Sequence, residues 1–136
     1  KIAAMSAQQS WRHANFGSAS NTGSAADTFD FEGDGVPNLV EWALHLNPTT
    51  SSALPVAGMR QGNVFVFTYT RSVAAVNAGV QYAVEWSDTL AAGSWGTAGV
   101  SAEAILSDNG TVQVVQVTVP LGSAGRRFVH LAVTGQ

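Results

Sequence analysis

The amino-acid sequence predicts a mainly β protein: an antiparallel β-sandwich of immunoglobulin or jelly-roll type, preceded by a helix–loop–helix segment. Two observations carry that reading. The spacing of apolar residues changes from about 3.6 in the first fifty residues to about 2 further on. About six short alternating stretches then follow one another, separated by turn residues with no helical pattern between them, as in a sandwich and unlike a sheet with crossover helices. At 136 residues and 46% hydrophobic content the chain can bury one core. It divides into residues 1–50 (helix, loop and short helix), a connector at 51–58 and the sandwich at 59–136, packed together as one unit.

Residues 3–15 suit a helix, with Ala4, Ala7, Trp11 and Ala14 as a narrow apolar stripe. Gly17 ends it. Residues 17–28 are rich in Ser, Ala, Asn and Gly and form a loop that delivers the chain to Asp30. Pro37 suits a first helical turn, and Leu39, Trp42, Ala43 and Leu46 share one face of a helix that runs to about Leu46. Asn47-Pro48 stops that helix, and the Thr-, Ser-, Ala- and Pro-rich residues 49–58 hold the connector.

In residues 64–71, Phe65, Phe67 and Tyr69 alternate with Val64, Val66, Thr68 and Thr70; in 80–88, Val80, Tyr82, Val84 and Trp86 oppose Gln81, Ala83, Glu85 and Ser87. Residues 95–100 and 102–106 read as short strands. Asn109-Gly110, between extended segments, signals a two-residue type I′ hairpin turn; with Thr111 it also matches a glycosylation acceptor. Residues 111–119 form the second arm, whose apolar parity slips between Val114 and Val115, as at a bulge or in a strand buried on both faces. Residues 126–134 close the chain with Val129, Leu131 and Val133 inward, and no internal repeat is evident.

Only 11% of residues are charged, well under the usual quarter or so. Residues 1–50 hold two basic and five acidic side chains, and residues 51–136 hold four of each, so the net charge of -3 lies wholly in the first part. No basic patch supports nucleic-acid binding, and no polybasic or amphipathic stretch suits an anionic membrane. No apolar run approaches a membrane span, so membrane insertion is not expected. Zero cysteines exclude disulfides, thiolate metal sites and a cysteine nucleophile. The chain opens on Lys1 with no signal peptide, which reads as a module excised from something longer.

The chemistry concentrates in Asp30-Phe31-Glu32-Gly33-Asp34-Gly35-Val36-Pro37-Asn38-Leu39-Val40-Glu41. A hard cation takes six to eight oxygen ligands, and the known twelve-residue calcium loop supplies them from positions 1, 3, 5, 7, 9 and 12 around a glycine at 6. Asp30, Glu32 and Asp34 occupy 1, 3 and 5, and Gly35 makes the turn. Val36 offers its carbonyl, Asn38 fits the position that often acts through water, and Glu41 fits the bidentate carboxylate. A plain acidic turn would set four carboxylates against one another with nothing gained. The expected cofactor is therefore a structural Ca2+, since Mg2+ prefers a tighter octahedron with retained water.

Other candidate sites are thinner. His13, His45 and His130 form no recognised zinc spacing. His45 lies four residues beyond Glu41, which places it at the loop exit in a surface or supporting role. There is no G-x-S-x-G nucleophile turn, and the loop uses four of the nine acids that a glycosidase pair would draw on; no enzyme is expected. Of four tryptophans, Trp11 and Trp42 lie on apolar helix faces and belong to the core. Trp95, between small residues, is the best candidate for an exposed sugar platform. Trp86 is second, sharing its strand face with Val84 and Tyr82.

The order of motifs resembles a C-terminal module of large secreted proteins of environmental bacteria, whose loop is similar to thrombospondin type 3, dockerin and EF-hand calcium loops. The matching residues are Trp11, Asn15-Phe16-Gly17, residues 30–41, Trp42-Ala43-Leu44-His45-Leu46-Asn47-Pro48, Val84-Glu85-Trp86-Ser87-Asp88, Trp95 and Arg126-Arg127-Phe128-Val129-His130-Leu131. They cover nearly the whole chain, although only the loop is a specific motif. Phe31 replaces a usual proline, Trp42 a tyrosine, His45 a glycine and His130 an arginine. The resemblance implies a non-catalytic appendage of a multimodular exported protein, secreted or at the cell surface, with a catalytic domain of the same parent chain beside it. The expected function is a calcium-stabilised module that binds polysaccharide or a cell-surface glycan. The alternative is a structural, cell-surface attachment or export cap that binds no glycan.

Overall fold

The structure is a computed structural model and describes residues 4–135; Lys1, and residue 3 at the start of the first expected helix, lie outside that range. The first helix, α1, spans Ala7–Phe16. Ser6 caps it by accepting from the Gln9 N–H (3.2 Å), while Gln9 Oε1 accepts from the Ser6 N–H (2.8 Å), a reciprocal capping box. Its buried face differs from the expected alanine stripe. Ala4, Ala7 and Ala14 are exposed, whereas Gln8 and Arg12 are buried. Asp27 explains this: its Oδ1 accepts from Gln8 Nε2 at 2.8 Å and from Arg12 Nη2 at 2.9 Å. Three methyl groups bury little apolar area, so this charge-assisted anchor and Trp11 orient the helix.

Among the described residues, six strands form two antiparallel sheets. β1 (Val56–Gln61), β2 (Val64–Ser72), β5 (Val112–Pro120) and β4 (Ala104–Asp108) make one sheet in the order β1-β2-β5-β4; β3 (Gln81–Ser87) and β6 (Phe128–Thr134) make the other. Phe67, Tyr69, Val115, Val117 and Val119 of the first sheet share a core with Val84 of the second, and Phe65, Tyr82, Trp86, Val129 and Leu131 pack around them. The alternation read from the sequence thus puts the expected residues inward on β2, β3 and β6.

Several elements depart from expectation. β1 begins at Val56, inside the 51–58 connector. A short helix, which we number α3, occupies Val73–Asn77 between β2 and β3, with Ser72 Oγ accepting from the Ala75 N–H (3.2 Å). Residues 95–100 form no strand and make a single bridge, Trp86 to Gly96. The β4–β5 turn is not type I′: Gly110 is left-handed (φ 86°) but Asn109 is not, and type I′ needs both. The irregularity expected near Val114 lies on the facing strand, because the β4 register slips between Ile105 and Ser107 while β5 pairs unbroken with β2.

The helix after the loop, α2, spans Asn38–Ala43 with Pro37 at its N-cap, shorter than expected. Trp42 and Ala43 join Ala75 and Val80 in a second buried cluster, flanked by Trp11, Leu39, Tyr82 and Val133. Tyr82 also gives its hydroxyl to the Ala43 carbonyl at 2.7 Å. The helical segment and the sheets therefore share buried surface. Among the described residues, no helix is long and apolar enough to cross a membrane.

Candidate metal centre

Two backbone bonds close the acidic loop onto the start of α2: Leu39 N–H to Asp27 C=O (3.0 Å) and Asn38 N–H to Phe29 C=O (2.9 Å). Gly33 and Gly35 both take left-handed φ (73° and 87°), the region an L side chain strains to enter. Those turns aim three N–H groups inward. Asp30 accepts from Gly33 at 2.9 Å, Asp34 at 3.2 Å and Gly35 at 2.7 Å. Burial pushes the Asp30 carboxyl up, but these N–H groups and Glu32 outweigh it and hold the carboxyl below its ordinary value. Asp34 accepts from the Val36 N–H (2.9 Å) and from Ser52 N–H (3.1 Å), which ties the loop to the connector.

Asp30, Glu32 and Asp34 each bring a carboxylate oxygen within 4.8 Å of the others. Glu41, on α2, lies near enough to feel Glu32, Asp34 and Asp30 but is outside that close group, and both it and Asn38 are 0% exposed. Asn38 gives its amide N–H groups to the Ser24 and Ala26 carbonyls at 2.9 Å each, which leaves Oδ1 free to accept. Among the described residues, Asn38 Oδ1 and both carboxylate oxygens of Glu32 and Glu41 are buried with no hydrogen-bond partner. Burial, with Glu32, Asp34 and Asp30 nearby, pushes the Glu41 carboxyl up to about 8. A buried acceptor left alone costs about 1–3 kcal/mol, and a charged one more. While ionised, the carboxylates and the Asn38 carbonyl oxygen cannot satisfy one another, because all are acceptors. A hard cation is what an all-oxygen, all-acceptor donor set of this kind takes, so the grouped Asp30, Glu32 and Asp34 fit calcium on the chemistry of the donors. Val36, the expected carbonyl ligand, is buried at the turn.

The tryptophans singled out as sugar platforms lie elsewhere. Trp86 packs against the sheet core and gives Nε1–H to the Ala98 carbonyl (2.8 Å). The Arg127 guanidinium sits 3.5 Å above its ring, held by Asp88 at 2.8 and 3.0 Å. Trp95 is half-buried and stacks on His130, with centroids 3.8 Å apart and planes 11° apart; His130 Nε2 meets Glu85 Oε1 at 2.8 Å. The structure therefore engages one ring face of each and does not bring either to the acidic loop.

His13 is exposed, and so is His45, which lines a cleft beside Trp11 and Trp42. Sequence reasoning missed Asp27, Gln8 and Arg12 as the anchor of the loop entrance. The only local trace of it is the spacing of Gln8 and Arg12, one helical turn apart on a helix otherwise short of large apolar residues. No protein-family model, curated protein or solved structure matches the chain.

Proposed function

We propose that this chain is a calcium-stabilised, non-catalytic module of an exported bacterial protein, one that holds its parent to polysaccharide or a cell-surface glycan. The observation that carries the calcium reading is Glu41: a fully buried carboxyl group with neither oxygen partnered, near three more acids. An ion there neutralises part of the loop's charge and fixes α2 against the sheets, replacing the staple that a cysteine-free chain lacks. At free calcium a hundredfold above its dissociation constant, the native state gains about 2.7 kcal/mol. The low-charge surface supports a neutral glycan as the ligand.

Thermal melting in excess chelator and in millimolar calcium tests the ion. The expected result is a clear rise in melting temperature with calcium; identical curves would overturn a structural ion. A second reading, an attachment or export cap that binds no glycan, is favoured by Trp86 and Trp95, each of which has a ring face engaged within the fold.

A further inference from the structure

An open cleft lies where α1, α2 and α3 meet. It has a volume of about 510 Å³ and is lined in part by Trp11, Asn15, Trp42, His45, Asn47 and Pro48, within the size range of small-ligand sites. Among the described residues, no Asp, Glu, Lys or Arg lines it. Asn15 spends its amide N–H on the Trp11 carbonyl (2.9 Å), so its Oδ1 remains as an acceptor. Asn47 spends Oδ1 on Thr49 at 2.9 and 3.0 Å, so its NH2 remains as a donor. The exposed imidazole of His45 adds one of each in its neutral form.

His45 carries an independent mark. α2 closes with Leu46 N–H on the Glu41 carbonyl (2.7 Å) and His45 N–H on the Trp42 carbonyl (3.3 Å), the bond pair of a Schellman motif with His45 at the left-handed position. Its φ is 60°, a conformation shared by only one other non-glycine among the described residues, Leu90. Glycine fits there without strain, so the imidazole is retained at a conformational cost, and such residues cluster at binding sites. The same helix carries Glu41 at the acidic loop and Trp42 in the cleft wall, one residue apart.

We infer that the α1–α2–α3 cleft is the glycan site, taking a neutral pyranose segment. Its C–H face packs on the half-buried Trp11 indole, with the buried Trp42 as the cleft floor, and its hydroxyls bond Asn15, Asn47 and His45. The inference rests on the polysaccharide reading above and moves the site away from Trp86 and Trp95. Calcium supports it by fixing the helix that carries Trp42 and His45.

Isothermal titration tests it, with the calcium-loaded 136-residue chain and the hexaoses of cellulose, xylan, mannan and chitin, and with hexagalacturonate as an anionic control. At least one neutral hexaose binds and hexagalacturonate does not. Trp11→Ala and His45→Gly each weaken binding about tenfold or more, as loss of a central contact does, while Trp95→Ala leaves it unchanged. His45→Gly keeps the test valid if Trp11→Ala fails to fold, because it relieves strain. Binding that survives His45→Gly, or is lost only in Trp95→Ala, overturns the cleft and leaves the glycan reading standing. Binding of hexagalacturonate alone overturns the neutral class, and no binding by any hexaose overturns both cleft and glycan while the calcium response stands apart.

Discussion

Glu41→Gln should be more stable than the parent in chelator and less stable in calcium. In the metal-free state the Glu41 carboxyl sits at about 8 in the folded chain against 4.5 as the ordinary value. An acid whose folded value is raised loses stability as pH climbs from the unfolded value to the folded one, because the unfolded chain releases its proton first. At about 1.36 kcal/mol per unit, the loss at pH 7 is about 3 kcal/mol. Gln carries no such penalty, and its NH2 can donate to the neighbouring Glu32 carboxylate. In chelator at pH 7 the variant should therefore melt roughly 10 °C above the parent for a domain of this size. At pH 5 the gap should shrink to about 1 kcal/mol. In saturating calcium the order reverses, since the parent keeps a bidentate ligand that the variant lacks. The assay is thermal or urea unfolding at pH 5 and pH 7, with chelator and with calcium. A variant that is no more stable than the parent in chelator at pH 7, or that gains as much from calcium, would refute the reasoning.

Two further outcomes follow from local geometry. His45→Gly should raise stability by about 1 kcal/mol by relieving the left-handed φ, read as a higher urea midpoint in calcium; no gain would show that the turn is not strained. Arg127→Lys should lose the fork on Asp88 and the stack on Trp86, about 1 kcal/mol from the stack alone. Arg127 also holds the Asp88 carboxyl below its ordinary 3.8. That contribution is present above 3.8 and lost as pH falls through the lower folded value, so Arg127→Lys should shallow the acid limb of the stability curve below about pH 4.

What could be read from the sequence had a local pattern behind it. The alternation of Phe65, Phe67 and Tyr69, and of Tyr82, Val84 and Trp86, marks inward faces because the pleat has a period of two. The typed spacing of Asp30, Glu32 and Asp34 is legible because residues two apart around left-handed glycines bring their carboxylates within 4.8 Å of one another. β1 left no such trace: all six of its residues are exposed, so backbone pairing at a sheet edge holds it with no apolar face to read. α3, at five residues, is too short to show a period. The burial of Asn38 depends on residues 24–26 folding back onto α2, and the stacking of Trp95 depends on His130 on a distant strand. Spacing along the chain does not encode those meetings. The strain at His45 was equally hidden, since a left-handed C-terminal turn shows in sequence only when glycine fills it.

Isothermal titration of calcium into the chelator-treated chain tests the central claim most directly. One ion per chain, with binding abolished in Asp30→Ala, is the predicted result. No heat of binding, or one ion per chain that survives Asp30→Ala unchanged, would contradict the assignment of residues 30–41 as the calcium loop.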